Sequence, residues 1–513
     1  MKRILLFLFS LPICAVAQIN QAPILSNLTL VDYTAKTITI RYDVADAEND
    51  LMTINGFVFD SISKKTVNII GASGDIGTKI SAGKSKEFTW DYSASLPKLS
   101  IFNIKVVADD GKVPSIDAIV QQVNCERMIS DLAFLAKKSR QRTANPAHLE
   151  ASRDTIQKIL AKAFGESPNV LNFAAGSYTG KNIVSTKKGL VQAQKSYIID
   201  AHYDSVSEAP GADDNGSGTV GVLEAARILS QYNFKKTLRF AAFDMEEDGL
   251  LGSKAYAKNL TPNDIEGVLN FEMIGFYDEK PNAQTLPTGF NQLFPQAYNA
   301  VKQDSFRGNF ITNVGNVPSS DLILAFNEAA AKYVPALKIV SVAVPGMGTV
   351  APDLRRSDHA SFWDKNIKAL MLTDGANFRN KNYHAASDTL GSINKAFLCN
   401  VVKATIATAA TLAELDHSGQ ANLFVDKSVA TKDIVPNCDF GVSPNPAKDE
   451  LSIQFNNCAS PLQFIDIVDI TGKIVLKKTF SESVENTTID IRLLAKGIYV
   501  LRTNEGAKTF VKE

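Results

Sequence analysis

Five short groups of residues set histidine or carboxylate side chains just after an apolar run or in a turn. The first is His202-Tyr203-Asp204, directly after Ile198-Ile199-Asp200. Residues i and i+2 share a face while the chain is extended. His202 can then take a metal ion while Asp204 orients its imidazole, as a ligating histidine requires. The second is Gly211-Ala212-Asp213-Asp214-Asn215-Gly216-Ser217-Gly218, a glycine-rich turn with two acids before a helix. A carboxylate here can bridge two cations. Phosphate on free N–H groups is the competing reading, but two aspartates would repel it and the P-loop lysine is missing. One of the acids can also serve as a helix cap.

The third group is Asp244-Met245-Glu246-Glu247-Asp248-Gly249. Adjacent glutamates point in different directions, so one can ligate a metal while the other stays free as a base. A solvated acidic loop is the plainer alternative. The fourth is Asn270-Phe271-Glu272-Met273-Ile274-Gly275, where an acid among apolar residues is costly unless paired or metal-bound. The fifth is Tyr383-His384-Ala385-Ala386-Ser387-Asp388-Thr389, in a loop before the last helix. Oxygen and imidazole ligands without thiolate fit a hydrolytic zinc site rather than a structural one. Two such ions roughly 3.5–4 Å apart would clamp an attacking hydroxide and polarise a carbonyl.

These groups need elements to hold them. Residues 126–138 and 150–164 have helical apolar spacing, and strands and helices then alternate. Strands are expected at 196–201, 238–243, 267–271 and 368–372, and helices at 219–231, 319–333 and 395–415. This alternation predicts an α/β domain with a central, mainly parallel sheet and helices on both faces. In such sheets, sites lie outside the carboxyl ends of the strands. Two β regions flank it. Residues 37–44 alternate with period two, and further short strands at 54–59, 66–70, 86–90 and 101–108 suggest an N-terminal β-sandwich. Strands at 451–455, 464–469, 473–478, 487–491 and 497–503 predict a C-terminal β-sandwich domain, with Thr471-Gly472 as a tight turn.

The expected segments are a signal peptide over 1–17, a β module over 18–122, the α/β domain over 123–417, a linker over 418–437 and a β domain over 438–513. Met1-Lys2-Arg3, an apolar stretch and Ala15-Val16-Ala17 form the signal pattern. Cys14 raises a lipoprotein alternative, which Ile13 fits poorly. No later segment is expected to span a membrane. Lys+Arg and Asp+Glu both count 54 in 513 residues, so net charge favours no nucleic-acid partner. Four cysteines follow the signal: Cys125, Cys399, Cys438 and Cys458. They allow three connectivities. Cys125–Cys399 with Cys438–Cys458 would tie the ends of the α/β domain and close a short loop; four free thiols are the other reading.

Over roughly residues 125–415, the combination of H-x-D, G-x-x-D-N-G-S-G, E-E, N-x-E-M and Y-H-x-x-x-D-T resembles the M28 family of zinc peptidases. The resemblance implies two zinc ions. Asp214 would bridge them, His202 and Glu272 would complete one site, and Glu247 and His384 the other. Glu246 would be the general base and Asp204 the support of His202. Many aminopeptidases of the family have Asp where this chain has Glu272. Arg356-Ser357-Asp358-His359-Ala360-Ser361-Phe362-Trp363 also matches the family; His359 is expected to shape the substrate pocket and Asp388 to support the site. Ser443-Pro444-Asn445-Pro446, Asp469-Ile470-Thr471-Gly472-Lys473 and Gly497-Ile498-Tyr499-Val500 resemble the C-terminal sorting domain of the type IX secretion system. The N-terminal module is similar to immunoglobulin-like or fibronectin-like domains in strand pattern alone.

The implied protein is a secreted metallo-aminopeptidase, exported across the outer membrane of a Bacteroidota-like bacterium. Its partners would be peptide or protein substrates and the type IX machinery. A carboxypeptidase or a glutaminyl cyclase on the same fold is the alternative, although a one-zinc cyclase would not need all five ligands. A non-catalytic binding protein should lack a ligand or the base, and none is missing.

Overall fold

The computed structural model describes residues 20–96, 98–427, 439–456, 464–469, 474–480, 486–503 and 506–513. The signal pattern, Cys14, the turn at Thr471-Gly472 and the pair Cys438 and Cys458 lie outside these residues. The chain forms two compact units that divide between Asp426 and Lys427.

The sheet that positions the candidate site has eight strands. Four strands in its middle, Ala369–Thr373, Ile265–Glu272, Gln192–His202 and Lys236–Phe243, are parallel neighbours. The flanks are mixed. Tyr178–Lys187 and Asn169–Ala175 continue antiparallel on one side. On the other, Ile311–Asn316 runs antiparallel to Ala369–Thr373 but parallel to Ile339–Val344. Four of the sheet's seven strand pairings are parallel, three of them among the central strands, where buried runs such as Ile198-Ile199 gave a readable pattern. Of the flanking strands, Asn169–Ala175 is largely exposed and carries a weaker one.

Alternate side chains of the central strands enter two cores. Ile199 packs with the helices Cys125–Leu135, Pro146–Phe164, Gly218–Leu229, Ser320–Tyr333 and Lys395–Leu412. Ile198 packs on the opposite face with Tyr256, Phe362 and Trp363. The helices start where local chemistry dictates. The Asn124 and Asn394 side chains accept from the Arg127 and Phe397 amides, capping two of them, and Pro146 opens a third. A disulfide joins Cys125 to Cys399 at the starts of the two capped helices, across 274 residues of sequence.

The N-terminal region consists of two sheets around one core of Tyr42, Phe88, Trp90 and Phe102. Its strands Thr37–Ala45, Met52–Asp60 and Ile101–Asp109 alternate buried and outward residues. The expected linker needs a correction here. Ser418–Asp426 is a strand, paired antiparallel with Ile101–Asp109 from Ser418↔Asp109 to Asp426↔Ile101. Val425 enters the core, but Gly419, Gln420 and Asn422 dilute the apolar pattern and made the segment read as linker. The α/β domain is therefore inserted between two neighbouring strands of the sandwich.

In the C-terminal unit, a three-stranded and a four-stranded sheet bury Leu451, Ile453, Ile465, Ile467, Leu501 and Phe510. No helix among the described residues is long and apolar enough to cross a membrane.

Candidate metal centre

The register of the central strands brings the acids and histidines to one edge. His202 pairs with Phe243, which immediately precedes the Asp244–Glu247 segment, and Glu272 pairs with Thr373. All four strand ends point the same way. The loops after them carry Asp214, Glu246, Glu247 and His384 into one cluster, so all five residues expected as ligands and the expected base come together.

The cluster has two halves joined by Asp214. His202 Nε2 lies 3.3 Å from Glu272 Oε2, 3.6 Å from Asp214 Oδ1 and 3.9 Å from Glu246 Oε2. His384 Nε2 lies 3.1 Å from Asp214 Oδ2 and 3.2 Å from Glu247 Oε2. Each oxygen of one buried carboxylate thus faces a different imidazole. His202, Glu246 and Glu272 form one group able to hold an ion, and Asp214, Glu247 and His384 another.

The surrounding contacts fix these side chains. Asp204 Oδ1 lies 3.4 Å from His202 Nδ1. Its two oxygens also accept from the amides of Glu246 and Glu247, at 3.1 and 3.2 Å. One carboxylate therefore registers two loops at once, more than the H-x-D spacing suggested. Asp388 accepts from the amides of Asp213 and Asp214 through separate oxygens, at 2.9 and 3.1 Å. Ser357 donates its hydroxyl to Glu272 Oε2 at 2.7 Å. Sequence reasoning missed that contact, since nothing about a serine 85 residues away signals it. Asn215 donates to the Phe271 carbonyl and accepts from the Met273 amide, tying the turn to the end of the Glu272 strand.

The donor set fits a pair of divalent cations. His202 Nδ1 and Nε2, His384 Nε2 and Glu247 Oε1 are buried with no hydrogen-bond partner, which ordinary packing rarely tolerates. The electrostatics agree. Burial presses the His202 imidazole down, yet Glu246, Asp204 and Glu272 lift it well above its usual range. Burial opposes protonation of His384 too, but Asp214 and Glu247 raise it to about 10. Burial and the Asp214 charge push Glu247 up to about 7. So many crowded carboxylates demand positive charge, which protons or metal ions can supply.

Two cavities adjoin the centre. One lies beside Glu272 and Tyr383 and is walled by Leu286, Phe290, Val301, Phe310, Val340 and Met371. The other, more polar, reaches Asp204 and Glu247. His359 does not line the first. It is fully buried, its Nε2 is 2.9 Å from the Leu354 carbonyl, and its ring stands edge-on to Trp363. The expectation that it shapes the pocket is corrected to an indirect role, through the pocket residue Leu354.

Comparison with known proteins gives two family matches. Residues 182–409 match peptidase family M28, and residues 441–513 match the secretion system C-terminal sorting domain. An uncharacterised Escherichia coli protein, YfbL, is 34% identical over 223 residues, covering 41% of this chain and 64% of its own. The aminopeptidase YwaD of Bacillus subtilis is 37% identical over 158 residues, 29% of this chain and 34% of its own. A probable zinc metalloprotease of Leptosphaeria maculans is 26% identical over 356 residues, 62% of this chain and 80% of its own. The chain spans less than two thirds of the length of the first three curated relatives. Among solved structures, a zinc aminopeptidase of Bacillus subtilis aligns at 25% identity with a TM-score of 0.36, over 47% of this chain and 52% of that one.

Proposed function

We propose that this chain, an M28-family peptidase carrying a C-terminal secretion-sorting domain, removes apolar N-terminal residues from peptides with the help of two zinc ions. One observation carries the reading: Asp214 turns one oxygen to His202 and the other to His384, the arrangement a bridging ligand needs. His202 and Glu272 would hold one ion and Glu247 and His384 the second. When bound, the ions lower the pKa of a shared water and polarise the scissile carbonyl.

The protein's own groups do the rest. Glu246 is the base: its carboxylate takes a proton from the attacking water and returns it to the leaving amine. Asp204 holds the backbone of Glu246 and Glu247 in register with His202, so base and ligands keep one geometry through the cycle. The carboxylates of the cluster attract the free α-amine of the substrate, which restricts cleavage to the first residue. The apolar cavity beside Glu272 receives that residue's side chain. The sorting domain marks the chain for type IX export, and a Bacteroidota-like host follows from that route.

The test is turnover of leucine, lysine and glutamate p-nitroanilides, an N-acetylated leucine anilide and an N-terminal glutaminyl peptide, before and after chelation. We expect the leucine substrate to be preferred, the acetylated one inert and activity to return with zinc. Turnover of blocked substrates only, or cyclisation of the glutaminyl peptide in place of hydrolysis, overturns the aminopeptidase reading.

A further inference from the structure

We propose that Arg140 and Arg153, both from the segment ahead of the residues matched to the family, are positioning residues for the metal centre. They set the spacing of the loops that carry His202, Asp214, Glu246 and Glu247. The inference rests on the two-zinc reading above.

Both side chains are buried; the donors of Arg140 go to backbone carbonyls around the ligands, and those of Arg153 to side chains beside them. Arg140 donates from Nε to the Tyr203 carbonyl at 2.6 Å, and from Nη2 to the Gly211 carbonyl at 2.8 Å. Its Nη1 donates to the carbonyls of Pro210 and Leu135 at 2.7 and 3.0 Å. Its amide donates to Ser205 Oγ at 2.8 Å. Tyr203 follows His202, and Gly211 lies three residues before Asp214. A single planar fork therefore joins the exit from one ligand to the approach to the next. Gly211 makes room for it: its φ is +66°, and a Cβ there would lie 2.8 Å from Arg140 Nη2.

No carboxylate is among these partners, and burying a guanidinium without one is costly. The carbonyls satisfy its donors instead, while Asp388, Asp204, Asp214 and Glu247 surround it with opposite charge. Arg153 reaches the next loop by a different route, through carboxylates: its Nη1 donates to Glu150 on its own helix. It donates from Nε to the Tyr203 hydroxyl at 2.8 Å and from Nη2 to Asp244. Asp244 stands two residues before Glu246. Tyr203 is the shared post: its carbonyl takes Arg140, its hydroxyl takes Arg153, and its neighbour is His202. A lysine can carry the charge of either arginine but not the fork.

The experiment uses the full chain, stripped of metal and titrated with zinc against a chromogenic chelator. Wild type is compared with Arg140→Lys, Arg140→Met, Arg153→Met and Ser205→Ala, with folding followed by circular dichroism. We expect each folded arginine variant, Arg140→Lys included, to bind zinc about 10- to 100-fold more weakly. The turnover number on leucine anilide should fall with it. Folded Arg140→Lys or Arg140→Met with wild-type zinc affinity overturns the proposal. Should the arginine variants fail to fold, Ser205→Ala decides: about 3-fold weaker zinc binding is expected from loss of the hydroxyl that accepts from the Arg140 amide, and unchanged affinity overturns the proposal. A wild type that binds no zinc overturns the two-zinc reading and this inference with it; a zinc-binding wild type with unaffected variants overturns the inference alone.

Discussion

His202 and His384 turn the same ring nitrogen to opposite oxygens of Asp214, yet the chain supports them differently. His202 ends a central strand, its side chain is 1% exposed, and Asp204 stands behind its Nδ1. His384 sits in a loop, its side chain is 35% exposed, and its ring stacks on Tyr383 at 3.8 Å. Its φ of +55° lies in the left-handed region, which histidine visits more readily than most residues. His359 is the counter-example, a buried histidine with no acid partner, pushed down to about 4 by burial. Burial acts the same way on all three rings, so neighbouring carboxylates decide whether a histidine in this fold carries positive charge. The support behind the ring then decides how firmly it is held.

The largest expected effect is from Asp214→Asn, which weakens both halves: activity should fall to background and zinc content should drop, measured by metal analysis after dialysis. An Asp214→Asn protein with two zinc ions and normal turnover would break the comparison at its root. Glu246→Gln comes next. It should keep zinc and lose about 10²- to 10⁴-fold in turnover; a fully active variant excludes its role as base. The two halves should then separate. His384→Ala is expected to lose one ion and fold normally, whereas His202→Ala should lose an ion and also melt at a lower temperature. Equal melting points would show that burial of His202 adds nothing. Ser357→Ala should weaken zinc on the Glu272 side by about 10-fold, leaving the His384 side untouched.

The remaining effect is on stability alone and concerns His359. Its folded pKa of about 4 lies below the value near 6.5 of an unfolded histidine. The unfolded chain therefore binds more protons between those values, and stability is lost as pH falls from about 6.5 towards 4, by up to about 3 kcal/mol. Urea unfolding of wild type and His359→Gln across that range tests this. The variant should lack one proton of the acid-side slope, and identical slopes would exclude the buried neutral ring.

The cluster was legible because each of its parts follows an apolar run or a glycine-rich turn. Parallel strands covered on both faces leave continuous apolar signatures, and their carboxyl ends mark where ligands gather. His202, Glu272 and the Glu246-Glu247 pair could be read in that way. Ser357, Arg140 and Arg153 could not. The partners that tie them to the site lie 50 or more residues away, and a buried arginine in a polar stretch looks like any surface arginine. The flanking strands Asn169–Ala175 and Ile339–Val344 were also missed: the first is largely exposed and has no clear period, and the second is a six-residue run with alternate residues buried. The strand Ser418–Asp426 was hidden because its partner is more than 300 residues earlier in the chain.

That strand bears on mechanical load. Once the sorting domain is held by another body, a pull on the chain at Lys427 reaches Asp426, which is laddered to Ile101. Tension passes straight across nine paired residues into the sandwich. The 308-residue excursion between Asp109 and Ser418, which starts and ends at opposed positions, lies outside that line of force. The α/β domain branches from that line as a side loop, so a pull at the tail is expected to load the sandwich ladder and not the candidate metal centre.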